Sequence, residues 1–271
     1  MNGNLMHADP ISKIDFAALY RQQMAHANRR EKPSSDWDAR APEMRQRVFR
    51  SAYVTEFLQR MDLTDCTTLL DIGCGPGTIA LSLAPRLECV YGLDYSQGML
   101  DAMMQQAGED ELTNVVPLCR SWEESWDDIP QCDIVVASRS TTVEDIGAAL
   151  RKLHQKAGKR VYLTHPVGGH FIDPSLLEAL GIKLPPLPDY IYLLNILYQM
   201  GIHPRLDYIQ VANRFDGITD ADDFSARIQG SLGMELNAAQ HAALIQWFRA
   251  HMAGRGLRCA PMLWAFIAWE K

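Results

Sequence analysis

Two carboxylates and three glycines carry the clearest chemical signal in the chain. Residues 69–77 read Leu-Leu-Asp-Ile-Gly-Cys-Gly-Pro-Gly, an apolar run that carries Asp71 and opens into Gly73, Gly75 and Gly77. Alternating glycines let a backbone turn sharply and approach a ligand closely, at the positive end of a following helix. Asp94 closes the next apolar run, nineteen positions after Gly75. A carboxylate there can accept both hydroxyls of a ribose; the plainer reading is a cap on the next helix. Further along, 164–170 reads Thr-His-Pro-Val-Gly-Gly-His. His165 and His170 could act as general bases, since an unperturbed histidine titrates near neutrality. Either could equally be a hydrogen-bonded loop residue. Arg139 could pair with an acidic substrate or salt-bridge a helix. Cys74, inside the glycine loop, needs only to be small.

These residues need a scaffold, and the hydrophobic pattern supplies one. Strand-like runs at 67–72, 89–94, 115–119, 133–137 and 160–164 alternate with helical stretches near 78–87, 97–106 and 143–156. Strands separated by helices imply parallel βαβ units with helices on both faces. A helical extension with Phe16, Leu19, Tyr20 and Met24 at helical spacing comes first, and a stronger helix is predicted over 42–61. After 165 come a helix at 172–181, a proline-rich connector at 184–188 and an apolar helix at 190–200. A sixth strand at 206–212, helices at 221–232 and 238–253, and an apolar run at 262–269 follow. That last run suits a strand buried on both faces. The expectation is an N-terminal helical extension or lid over 1–44 and one α/β domain over 45–271. Within that domain, 171–204 is expected as a cap insertion.

Composition narrows the function. The 271 residues are 47% hydrophobic, with a net charge of −7 and no strong Lys/Arg cluster. Phosphate contacts supply most non-specific nucleic-acid affinity, so a nucleic-acid partner is not expected. No run approaches the roughly 18 to 20 apolar residues of a membrane span. The first ten residues lack the pattern of a signal peptide. The six cysteines are scattered without a C-x-x-C pair, which predicts no metal site, no disulfide framework and a cytoplasmic setting.

Residues 69–77, followed by Gly-Leu-Asp-Tyr-Ser-Gln-Gly-Met-Leu over 92–100, resemble the first two motifs of the class I S-adenosylmethionine-dependent methyltransferases. The match is closest to the small-molecule branch with "LDxGCGxG" and then "GxDxSxxML". The resemblance implies a doubly wound, mostly parallel seven-stranded Rossmann-like sheet with the last strand antiparallel. It implies S-adenosyl-L-methionine as cofactor and S-adenosyl-L-homocysteine as product. Asp71 and the backbone of Gly73, Cys74, Gly75 and Gly77 would hold the methionine part. Asp94 would take the ribose hydroxyls, with Tyr95 and Met99 against adenine. Family members often place an adenine-contacting acid after the third strand; here that turn is Cys119-Arg120-Ser121-Trp122, so Ser121 or Trp122 would substitute. Ser138 and Arg139, after the fourth strand, would border the methyl group. Trp37-Asp38-x-Arg40-Ala41 resembles a "WDxRA" segment that lies over the cofactor, although it could instead staple a helix.

Methyl transfer from a sulfonium is an in-line displacement, so a base and a dry pocket are sought and not a catalytic triad. Tyr190, Tyr192, Leu193, Leu197 and Tyr198 form a stripe that reads as half core and half pocket, with Tyr190 and Tyr198 as substrate-lining candidates. No N/D-P-P-Y/F motif, Pro-Cys pair or acidic metal cluster is present. The acceptor is expected to be a small molecule under a lid. Residues 75–80 also fit G-x-G-x-x-A, so a nicotinamide- or flavin-dependent oxidoreductase is the alternative, beside a non-catalytic S-adenosylmethionine-binding protein.

Overall fold

Ile134, Val135, Val136 and Ala137 have no polar side chain on either face, and all four are fully buried. They form the centre of the sheet, which is where a strand apolar on both faces must go. The computed structural model describes residues 10–27, 33–48, 51–254 and 256–271. Its strands are β1 (Thr68–Ile72), β2 (Cys89–Asp94), β3 (Val115–Cys119), β4 (Cys132–Ala137), β5 (Ala157–Pro166), β6 (Arg205–Val211), the short β7 (Met252–Ala253) and β8 (Gly256–Leu257), and β9 (Met262–Glu270). Seven of them make one sheet in the order β3-β2-β1-β4-β5-β9-β6. β9 runs antiparallel to both neighbours, so β6 points the same way as the first five strands. The seven expected strands are all present, each within a few residues of its expected bounds. The hairpin of β7 and β8 has no counterpart in the sequence reading.

Helices cover both faces. The sequence gives α1 (Phe16–Ala27), α2 (Ser34–Asp38), α3 (Ala41–Val48), α4 (Ala52–Gln59), α5 (Ala80–Leu83), α6 (Gln97–Glu109) and α7 (Ile146–Lys156). Then come α8 (Pro174–Ala179), α9 (Tyr190–Gln199), α10 (Ala221–Leu232) and α11 (Ala238–Ala250). Tyr53, Phe57, Ile79, Leu83, Leu100 and Met103 bury one face of the sheet. Tyr20, Ile146, Leu150, Leu153, Leu193 and Leu197 bury the other. A third core, independent of the sheet, joins α8, α10 and α11 through Leu176, Phe224, Ile228, Leu244 and Phe248.

Three expectations come out differently. The helix over 42–61 is two helices, because Ser51 is extended (φ −78, ψ 131) at the start of α4. The segment 171–204 divides: α8 joins the third core, whereas α9 lies beside α7 and α1 on the sheet face. The third core thus draws on α8 from that segment and on α10 and α11, which follow β6. Within 1–44, residues 1–9 and 28–32 lie outside the described residues; α1 is a face helix whose Tyr20 is fully buried and whose Arg21 pairs with Asp145 at the start of α7, and α2 reaches the carboxyl edge of the sheet beside β2.

Candidate functional site

The glycine loop leaves β1 at the carboxyl edge, with Gly73, Gly75 and Gly77 all at positive φ (64, 55 and 82). Its amides are largely satisfied within the protein. Gly73 and Cys74 donate to the Leu93 carbonyl at 2.7 and 3.1 Å, and Gly75 donates to Asp94 Oδ2 at 2.8 Å. Gly75 is the open position: a Cβ built on it meets no protein atom within 4 Å. A left-handed residue facing empty space is a cradle for a ligand that must lie against backbone. Asp71, fully buried beneath the loop, accepts the Ala80 amide at 3.1 Å. Burial pushes its carboxyl up to about 7. Asp94 accepts the Ser96 amide on its other oxygen at 2.9 Å, and burial raises its pKa as well. Each carboxylate oxygen has a second lone pair, so these bonds leave room for hydroxyl donors.

Cys74 and Met99 belong to the packing. Cys74 Sγ points at Met103, and Met99 fills a small core with Ala41, Ala102 and the half-buried Trp37. Tyr95 is 38% exposed just beyond the end of β2. Sequence reading missed the role of Asp38. Its Oδ1 accepts the Ser96 hydroxyl at 2.6 Å and the Gly98 amide at 2.9 Å, which pins α2 to the first turn of α6. Those bonds hold the Asp38 carboxyl below its usual range. Gly98 permits the approach, since a Cβ there would sit 2.9 Å from Asp38 Cα.

The turn after β3 is tied into itself. Ser121 donates its amide to Glu124 Oε2 at 2.6 Å, and its carbonyl accepts Trp126 Nε1 at 2.9 Å. The Trp122 carbonyl accepts the Lys152 ammonium at 2.6 Å, and its ring packs on Trp126. Ser121 and Trp122 are thus committed locally. A carboxylate nonetheless stands at this turn, Glu124, two residues beyond the Cys119–Trp122 stretch read from the sequence.

Past β4, a chain of hydroxyls joins elements far apart in sequence. Tyr53, from α4, lies 2.7 Å from Thr164 Oγ1 and 2.9 Å from Ser138 Oγ through its phenol oxygen. Arg139 donates its amide to Thr164 Oγ1 at 3.0 Å and sits at φ 59, a left-handed conformation costly for a side chain. Its guanidinium stacks 4.3 Å from the Tyr53 ring centre. Burial raises the Tyr53 phenol, which stays protonated. Ser140 donates to the Ile72 carbonyl at 2.6 Å, locking this turn to the end of β1.

A family model described as "Methyltransferase domain" matches residues 69–157, from β1 to the start of β5, the stretch that carries the glycine loop, Asp94 and the Ser138–Arg139 turn. The chain belongs to the class I S-adenosylmethionine-dependent methyltransferases. It is 38% identical over 263 residues to an uncharacterised protein of Haemophilus influenzae, covering 96% of this chain and 98% of that one. Its fold is similar to that of a putative methyltransferase of Bacillus halodurans, with a TM-score of 0.57 at 11% identity over 80% of this chain and 98% of the other. It is also similar to coclaurine N-methyltransferase bound to N-methylheliamine and S-adenosylhomocysteine, with a TM-score of 0.51 at 12% identity over 96% of each chain.

As a methyltransferase, the chain uses S-adenosylmethionine as its donor. The open face of Gly75 beside the half-satisfied Asp94 fits that cofactor. The two histidines separate clearly. His165 is fully buried, with Nδ1 2.9 Å from Thr141 Oγ1 and Nε2 3.1 Å from the Pro188 carbonyl, so both ring nitrogens are engaged in the core. His170 lies in the loop beyond β5, and its buried Nδ1 has no partner among the described residues. Burial lowers its pKa and favours the neutral ring. Of the tyrosine stripe, Tyr190 bonds Tyr208 on edge strand β6 at 2.7 Å, four strands from β1 and so roughly 19 Å away. Tyr198 stacks edge-on with His203, which shares a groove with Asp62 and Arg160 at the amino edge of the sheet. Neither tyrosine is brought to the glycine loop.

Proposed function

We propose that this methyltransferase transfers a methyl group to a small-molecule acceptor in the cytoplasm, by in-line displacement at the carboxyl edge of the sheet. The observation that carries the reading is the cradle formed by Gly75 and Asp94. The backbone from Gly73 to Gly77 holds the methionine part, and Asp71 gains a cationic neighbour that favours its ionised form. Asp94 accepts the ribose hydroxyls, Tyr95 covers the adenine, and Glu124 stands in for the acid missing after β3. The bound cofactor supplies an electrophilic methyl group. Ser138 and Arg139 border the acceptor, His170 takes its proton when it has one to lose, and the lobe of α8, α10 and α11 excludes water. A net charge of −7 argues for a small acceptor over a nucleic acid, and six free cysteines suit a reducing compartment.

Calorimetry tests this directly. S-adenosylhomocysteine binds at micromolar concentration and NAD does not. Replacing Asp94 by Ala removes two charge-assisted bonds and weakens binding by roughly 10² to 10⁴, whereas Asp94→Asn loses less. An alanine variant within about threefold of the parent removes the ribose assignment.

A further inference from the structure

The hydroxyl chain beyond β4 has a direction, and that direction specifies a ligand. Thr164 is fully buried and its Oγ1 already accepts the Arg139 amide. Its own proton can go only to the Tyr53 oxygen, which is the one acceptor within reach of that hydroxyl among the described residues. The Tyr53 proton then has a single destination, Ser138 Oγ. Ser138 thereby receives a hydrogen bond and keeps its own proton for a partner outside the chain. Next to it stands Arg139, a guanidinium with no carboxylate partner among the described residues, held over the Tyr53 ring.

The structure assigns this turn as an oxyanion site: Ser138 and Arg139 together hold a carboxylate or phosphate carried by the methyl acceptor. The assignment rests on the methyltransferase reading above and adds the charge class of its substrate. The turn offers the Arg139 guanidinium and the Ser138 hydroxyl as donors, and a guanidinium fork beside a hydroxyl matches the oxygens of such a group. Two more arginines of the same edge share the sign. Arg40 lies in the turn between α2 and α3, two residues after Asp38, and Arg214 lies three residues beyond the end of β6; neither has a carboxylate partner among the described residues. Arg214 is lowered by burial and by the charge of Arg40, so the two side chains feel each other across the edge. Tyr53 is a positioning residue here, since it acts through Ser138 and Arg139.

The experiment follows thermal unfolding of the protein saturated with S-adenosylhomocysteine, in sodium phosphate, sodium benzoate or sodium chloride at matched ionic strength. Phosphate or benzoate raises Tm above the chloride value, and the better of the two identifies the oxyanion type. Arg139→Gln loses most of that increment, with anion affinity down about tenfold and S-adenosylhomocysteine affinity within about threefold of the parent. General stabilisation by excluded salt is common to both chains and cancels in the comparison. Tyr53→Phe keeps the ring under Arg139 but frees Ser138, so the anion weakens by about threefold while the cofactor does not. Equal increments in parent and Arg139→Gln, or no increment in the parent, overturn the site. So does a variant that loses cofactor affinity and keeps the anion response, because the group held is then the cofactor's own carboxylate. Equal loss of both ligands in Tyr53→Phe overturns the relay. Failure of S-adenosylhomocysteine to bind at all strikes instead at the methyltransferase reading.

Discussion

His165 and His170 are five residues apart and have the same chemistry in isolation; their surroundings decide between them. His165 is held at both nitrogens within the core, whereas His170 has a buried Nδ1 without a partner among the described residues. Burial favours neutral His170, so it loses its proton below the ordinary histidine value and is a base through the neutral range. A pH–rate profile with an acceptor that must be deprotonated is expected to show its acid limb below about pH 6.5. His170→Ala is expected to abolish that limb and to depress turnover by roughly 10² to 10⁴. An unchanged limb in the variant assigns it to another group. At this scale the sequence discloses what lies close together in the chain. Asp94 and the glycines were legible because type and spacing alone define them. Tyr53 was not, since its partners Ser138 and Thr164 stand 85 and 111 residues away and only the fold brings them together.

Elements were legible where the apolar pattern had one solution. β4 and β9 could be nothing but buried strands. The apolar helix α9 was misplaced, because a helix on the sheet face and one in a cap have the same periodicity and differ only in their neighbours. The junction of α2 with α6 was half-legible: Trp37 and Asp38 were visible as a motif, but not that Asp38 caps α6. Gly98→Ala tests that junction, because the added methyl meets the Asp38 backbone and not a side chain that can turn away. The expected cost is about 1–3 kcal/mol, read as a lower urea midpoint at unchanged slope. A neutral result would mean that α2 does not dock there as described.

Across the whole molecule, the N-terminal helix is part of the body. Tyr20 is fully buried among α1, α7, α9 and the sheet, so a chain starting at Glu43 removes a large aromatic from the core. Such a truncation is expected to lose at least about 3–5 kcal/mol, seen as a large drop in Tm, before any effect on turnover. A truncated chain with the parent's Tm would return 1–44 to the role of a lid. The sheet order has a consequence of another kind. β9 is made after the other six strands of the sheet, yet it sits between two of them, β5 and β6. While the chain is emerging from the ribosome, both of those strands present bare edges to each other across a missing place, and an unpaired edge invites foreign strands. The first five strands can assemble in the order of their synthesis; β6 joins only when residues 262–270 arrive. The sheet is therefore whole only once its last strand has been made, and a chain cut short before residue 262 leaves β5 and β6 without the strand that joins them.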